Sequence, residues 1–409
     1  MSAVAYLTDV EGLWNKLEEF ARGNPWVSLD GDRLVVAEGA TFVFGGDAID
    51  RGPWGRRLVA TLLDAKRRHG ERVVLLAGNR DINKMRLARE LTGAPPARTP
   101  REIVDAGRAP LLRWIFQNTM GAKVAFEMRR VELADGGARV TDEDVVESFL
   151  ADLAPEGALS RYLAACQLAH RDGRTLFVHG AVTEENLGSV PGEPRRIADV
   201  DAWIAGLNTF YRDQVDAFVE RRSERDGEPA WARLVAYQAP LAGTRLNQSS
   251  VVYGRPADGL GNPVLPPRAV VAALAAAGVE RVVVGHTPSG DSPSVLVDDG
   301  FQLVMADNSY GRSEGGAQVF VEDEELRVAG RVVLDDGVER AVAVHAAGFG
   351  ARGPIGLRDP ATGRLVKGRL GEREYLSFRF LEGFAMEQTA LSEEQCEGLL
   401  LVPPRAIEG

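Results

Sequence analysis

Cysteine is almost absent: Cys166 and Cys396 are the only two in 409 residues. Two isolated thiols exclude a disulfide scaffold and suit a reducing compartment, so a cytoplasmic location is expected. Histidine is nearly as scarce, with five in the chain. A surplus of positive charge is also missing, since the formal net charge is -11. A nucleic-acid backbone or an anionic membrane surface would meet a repelling field, which argues against both as partners and leaves room for a local basic pocket. No apolar run approaches the roughly 20 residues of a membrane span. Residues 269–279 come nearest and read as a buried helix ahead of a strand. The first residues lack a basic segment and a long apolar segment, so no secretory signal is expected.

What is present is ordinary for a soluble globular chain, with 45% hydrophobic and 26% charged residues. The length suits one large domain with insertions, or two domains. Strand and helix patterns alternate over the first 80 residues. Residues 4–7, 33–37, 41–44 and 72–76 have strand character, and 13–22 and 54–69 have helical spacing. From about 85 to 172 the pattern turns helical, with helices expected over 101–117, 142–153 and 159–170. Thr141 is placed to cap the second of these, with Asp144 three positions behind it. Strand character returns at 175–178. A second insertion, about 181–250, carries a long helix expected over 199–222. Strands follow at 281–284, 295–297, 303–306 and 319–321, the last three expected to be antiparallel. Hairpin signals at Asp336-Gly337, Asp359-Pro360 and Thr362-Gly363 mark the tail. The expectation is a principal domain over 1–330 with two insertions and a β-rich C-terminal extension over 331–409.

Every candidate polar ligand sits where an apolar strand stops: Asp9, Asp47, Asn79, His179 and His286. Sheet folds with crossover helices put their chemistry at such strand ends. Asp47 can bridge two cations, and Arg51 can grip a phosphate oxygen through its planar fork. Each residue alone has a plainer reading. Asp9 and Glu11 suit a helix start, Asp47 and Asp50 a turn, Asn79 and Asp81 a helix cap, and the histidines a packed core. Five such strand ends in one chain favour the metal site.

The blocks Asp9-Val10-Glu11-Gly12, Gly46-Asp47-Ala48-Ile49-Asp50-Arg51-Gly52, Gly78-Asn79-Arg80-Asp81, His179-Gly180 and Gly285-His286-Thr287-Pro288 stand in the order of a known family. They resemble the calcineurin-like metallophosphoesterases, in the branch with serine/threonine phosphoprotein phosphatases and symmetrical diadenosine tetraphosphatases. The second block is a full match. The resemblance spans about 4 to 310 and skips both insertions. It implies a four-layer α/β/β/α sandwich with a helical insertion capping the cleft, and two divalent cations. Mn²⁺ is foremost, with Mg²⁺, iron or Zn²⁺ as alternatives. By the resemblance Asp9 and Asp47 hold the first cation, joined by Glu11 in place of the family's histidine. Asp47 bridges to the second, which Asn79, His179 and His286 complete. Arg51 binds phosphate. Arg80 stands where the family has a catalytic histidine. It is expected to act as a second phosphate clamp oriented by Asp81, because arginine cannot give up a proton near neutral pH. Arg255 falls where relatives place substrate contacts, with a surface role equally open. The implied activity is hydrolysis of a phosphate monoester from a small metabolite or a phosphoprotein. A nucleotide or dinucleoside polyphosphate is the alternative within the same chemistry, and a phosphate-binding protein without activity is the rival of another class.

Overall fold

Successive side chains of a strand point to opposite faces, and the central strands of this chain are apolar on both. The computed structural model describes residues 3–405 apart from 224–226, 245, 314, 316–317, 323–324, 347–352 and 383–384. Among these, strands β1 (Ala3–Leu7), β4 (Ala40–Phe44) and β5 (Val73–Leu75) run parallel. A hairpin of β2 (Val27–Asp30) and β3 (Arg33–Val36) stands apart as a two-stranded sheet. The second main sheet has the order β6 (Ala169–Asp172), β7 (Thr175–Val178), β8 (Arg281–Pro288), β10 (Phe301–Asp307) and β9 (Ser294–Asp298).

Val4, Tyr6, Val43 and Val74 of the first sheet pack against Phe177, Val283, Val295 and Val304 of the second. The alternate residues Ala5, Phe42, Phe44 and Leu75, and Leu176, Val282, Val284 and Leu303, face outward into a core shared with the helices. Helices Trp14–Gly23 and Gly55–His69 contribute on the first side, and Val200–Val219 and Arg268–Ala276 on the second. The chain is therefore a four-layer α/β/β/α sandwich. No helix among the described residues is long and apolar enough to cross a membrane.

Several expectations are adjusted. The helix foreseen over 101–117 is two, Arg101–Asp105 and Arg108–Asn118, parted at Gly107, whose φ of 104° no helix can carry. The helix foreseen over 159–170 ends at Ala165, because Gln167 bridges to Leu76 and β6 pairs with β7. Strand β10 is antiparallel to β9 but parallel to β8. Thr141 caps helix Asp142–Asp152 reciprocally with Asp144, as foreseen.

The tail is β-rich, and it is continuous with the first sheet. Strands β11 (Gln318–Glu322), β12 (Glu325–Val333), β13 (Glu339–Ala346), β14 (Leu365–Gly371), β15 (Glu374–Phe380) and β16 (Met386–Ser392) extend that sheet from the free edge of β1 to nine strands. The expected boundary at 330 falls inside β12, whose residues 325–329 pair with β11 and 326–333 with β13.

The extension also reaches the loop after β8. Lys367, on β14, is fully buried, donates to the carbonyls of Ser289 and Ser292, and lies 4.1 Å from the centre of the Phe378 ring. Asp291 accepts from the Val333 amide at 2.8 Å and from Gln388 Nε2 at 2.8 Å. Burial lowers Lys367 from 10.5 to about 7, with Asp291 opposing. Between those two values the unfolded chain binds the extra proton, so stability rises with pH across that window. The stability of the natural chain minus that of Lys367→Met, read from urea unfolding, is expected to grow from pH 7 towards pH 10.5. A flat difference would place the ammonium in contact with solvent.

Candidate active site

Residues just after β1 and β4, and His286 within β8, which runs on past the expected end of that strand to Pro288, set the site. Among the described residues seven non-glycine positions have positive φ, and five of them are Asp9, Glu11, Asp47, Asp50 and His286. Such strain concentrates where side chains must be aimed at a function. Two glycines permit the close approach. A Cβ on Gly78 would lie 2.1 Å from Asp47 Oδ1, and one on Gly285 would lie 2.4 Å from Asp9 Oδ2.

The loops are tied by backbone bonds. The Asp9 amide donates to the Gly46 carbonyl at 3.0 Å, and the Glu11 amide to the Asp47 carbonyl at 2.9 Å. Asp81 completes the lock. Its carboxylate accepts from the amides of Asp47 at 2.9 Å, Ala48 at 2.9 Å and Gly78 at 3.0 Å. Burial lifts it to about 6 against the pull of those three amides.

Asp9, Asp47 and His179, all buried, bring one ligand atom each within 4.8 Å of one another. His179 Nδ1 is 2.7 Å from the Gly45 carbonyl. A carbonyl only accepts, so the ring proton is on Nδ1 and Nε2 holds a lone pair. Burial pushes this imidazole down to about 4, so it is neutral at pH 7. Nε2 faces Asp47 Oδ1 at 3.4 Å and Asn79 Oδ1 at 3.2 Å. Three acceptor atoms thus meet, and Asp47 Oδ1 also accepts from the Arg80 amide at 2.9 Å. His286 joins them, with Nδ1 2.8 Å from Asn79 Oδ1. Its backbone amide donates to Asp9 Oδ2 at 3.1 Å, an oxygen that also accepts from Thr8 Oγ1 at 2.6 Å. Burial raises Asp9, with the charge of Asp307 adding, and raises Asp47, with the charge of Asp9 adding. Converging lone pairs and mutually repelling carboxylates are a donor set that fits a hard divalent cation.

The arginines are placed differently from expectation. Glu11 Oε1 is 2.5 Å from Arg80 Nε, and Glu11 Oε2 is 3.0 Å from Arg51 Nη1. Glu11 therefore holds two guanidinium groups. Asp81 does not orient Arg80, since its oxygens are taken by backbone amides and Glu11 has that task. Arg80 Nε also lies 3.4 Å from Asp47 Oδ2, and Nη1 3.7 Å from Asp50 Oδ2. Burial works to neutralise Arg80, and Glu11, Asp47 and Asp50 outweigh it, so the guanidinium stays charged. Arg51 donates to the Ser309 carbonyl, and its guanidinium lies 4.4 Å from the centre of the Tyr310 ring.

A cavity of about 230 Å³ opens above these groups. Asp9, Glu11, Asp47, Asn79, Arg80 and His286 border it, with Tyr253, Arg255, Asp307 and Tyr310 at the walls. Met120 and Gly121, from the stretch between β5 and β6, line it too. Lys16 is a group the sequence did not single out. It is buried and donates to the Asp9 carbonyl at 2.7 Å. Its signal was a lysine on the buried stripe of helix Trp14–Gly23, beside Trp14, Leu17 and Phe20. Tyr253, whose ring centre is 4.9 Å from that of His286, and Tyr310 had no such signal.

No family model matches the chain, and no curated protein matches it. Among solved structures it resembles a cold-active protein-tyrosine phosphatase of a psychrophilic Shewanella species at 16% identity, covering 83% of this chain and 80% of that one, with a TM-score of 0.44. It also resembles a protein serine/threonine phosphatase from Saccharomyces cerevisiae at 14% identity, covering 86% and 80%, with a TM-score of 0.37.

Proposed function

We propose that the chain hydrolyses phosphate esters with the help of divalent metal held by Asp9, Asp47, Asn79, His179 and His286. One observation carries this: the lone pairs of His179 Nε2, Asp47 Oδ1 and Asn79 Oδ1 face each other beneath a cavity bordered by Arg80. Bound there, the metal supplies charge neutralisation and a more acidic water. The remaining work belongs to the chain. His179 is fixed in one tautomer by Gly45. Arg80, held by Glu11, and Arg255 offer N–H groups to phosphoryl oxygens, where charge develops during transfer. Arg51 steadies Glu11 from the other side. Arg80 keeps its proton near neutral pH, so the leaving oxygen takes its proton from water and not from the residue that replaces the family's histidine.

A small phosphomonoester is the proposed substrate, because the cavity is narrow and walled by Met120 and Gly121. Tyr310, exposed at the rim, favours a nucleotide phosphate as the second reading. The free, buried Cys166 and Cys396 agree with a reducing compartment, and the cytoplasm is part of the proposal. Hydrolysis of an aryl phosphate with Mn²⁺ is expected, abolished by a chelator and restored by added Mn²⁺. Metal binding with no turnover on a panel of monoesters and nucleotides would make the chain a phosphate-binding protein instead.

A further inference from the structure

We infer that this chain holds one divalent cation and not two, the Arg80 guanidinium taking the place of the other. The inference rests on the proposed metal site and concerns how many ions it takes. A two-ion centre needs a bridging carboxylate with open donors on both sides, the ions being about 3.5–4 Å apart. Asp47 is the candidate bridge, and its two oxygens face different partners. Oδ1 faces His179 Nε2 at 3.4 Å, while Oδ2 faces Arg80 Nε at 3.4 Å.

The remaining donors on that second side would be Asp9, which already converges with Asp47 and His179, and Glu11, both of whose oxygens are engaged by arginines, at 2.5 Å and 3.0 Å. The Glu11 side chain is 1% exposed and that of Arg80 13%, so solvent does little to loosen the pair. Arg80 is anchored from behind as well. Its amide donates to Asp47 Oδ1 at 2.9 Å, and the nearby Asp50 is fixed by Lys84 Nζ at 2.6 Å. Among the described residues, Asp9, Asp47 and His179 bring ligand atoms within 4.8 Å of one another, and Glu11 is not in that group. A second ion would have to displace a buried guanidinium and then sit beside its charge. The residues fit one cation and do not fit two.

Equilibrium dialysis against Mn²⁺ with elemental analysis, paired with electron paramagnetic resonance, tests this on the full chain. One Mn²⁺ per chain and the six-line signal of an isolated ion are expected. Arg80→Ala should admit a second Mn²⁺ and give an exchange-coupled signal, while Arg80→Lys, which keeps a charge there, should stay at one. Two coupled ions in the natural chain would overturn the inference and leave the hydrolase reading standing. An unchanged stoichiometry in Arg80→Ala would overturn the role of Arg80. No Mn²⁺ bound at all would sink both this inference and the reading beneath it.

Discussion

Replacing Asp47 with asparagine is expected to lower kcat/KM on an aryl phosphate by at least about a thousandfold, since loss of a metal's charge stabilisation costs several kcal/mol and each ~1.4 kcal/mol is tenfold. Asparagine has nearly the same shape, and its side-chain oxygen can keep the 2.9 Å bond from the Arg80 amide. What disappears is the negative charge. Asp47 lies beside His179 on one side and Arg80 on the other, so metal affinity and the setting of Arg80 both suffer. The same substitution should make the metal-free protein more stable. Burial and the neighbouring Asp9 hold Asp47 above the ordinary carboxylate range, which means the ionised form opposes folding when no cation is bound. A higher Tm in chelator together with lost activity is the combined expected result, as when a site is strained for its function. Activity within tenfold of the natural chain would remove Asp47 from the centre of the reaction.

Asp81→Ala is expected to cost about 3–5 kcal/mol of stability in urea unfolding, because each buried donor left unsatisfied costs about 1–3 kcal/mol. Three backbone amides depend on this side chain, at Asp47, Ala48 and Gly78, and the residue is 1% exposed. Asp81→Asn should cost less, since one oxygen can still accept. A loss below about 1 kcal/mol, the net value of a single hydrogen bond, would mean that the loops hold without it.

Strand ends were legible because alternating apolar residues stop abruptly at glycine and a polar side chain, and the structure places Asp9, Asp47, Asn79, His179 and His286 together. The partners of the charged residues were not legible. Asp81 follows Arg80 in the chain and so invited pairing, yet both lie in the helix Asn79–Asn83, where adjacent side chains diverge. Glu11 is 69 positions away from Arg80, and the parallel order β1–β4–β5 brings the segments that follow these strands into contact. A glutamate beside a metal and a glutamate beside an arginine are the same letter. The tail shows the same limit. Turn residues such as Asp336-Gly337 signal a hairpin without saying which sheet edge it joins, and here the edge was β1, through β11.

The donors come from both halves of the sandwich. Asp9, Asp47 and Asn79 follow strands of the nine-stranded sheet, whereas His179 and His286 belong to the five-stranded one. An ion gripped by all of them would act as a rivet through the layers, binding the assembled protein and hardly at all the separated sheets. Its binding free energy is then added directly to the resistance of the fold against opening. Cells starved of that ion would lose the molecule itself to proteolysis as well as its turnover, so its abundance would follow metal supply.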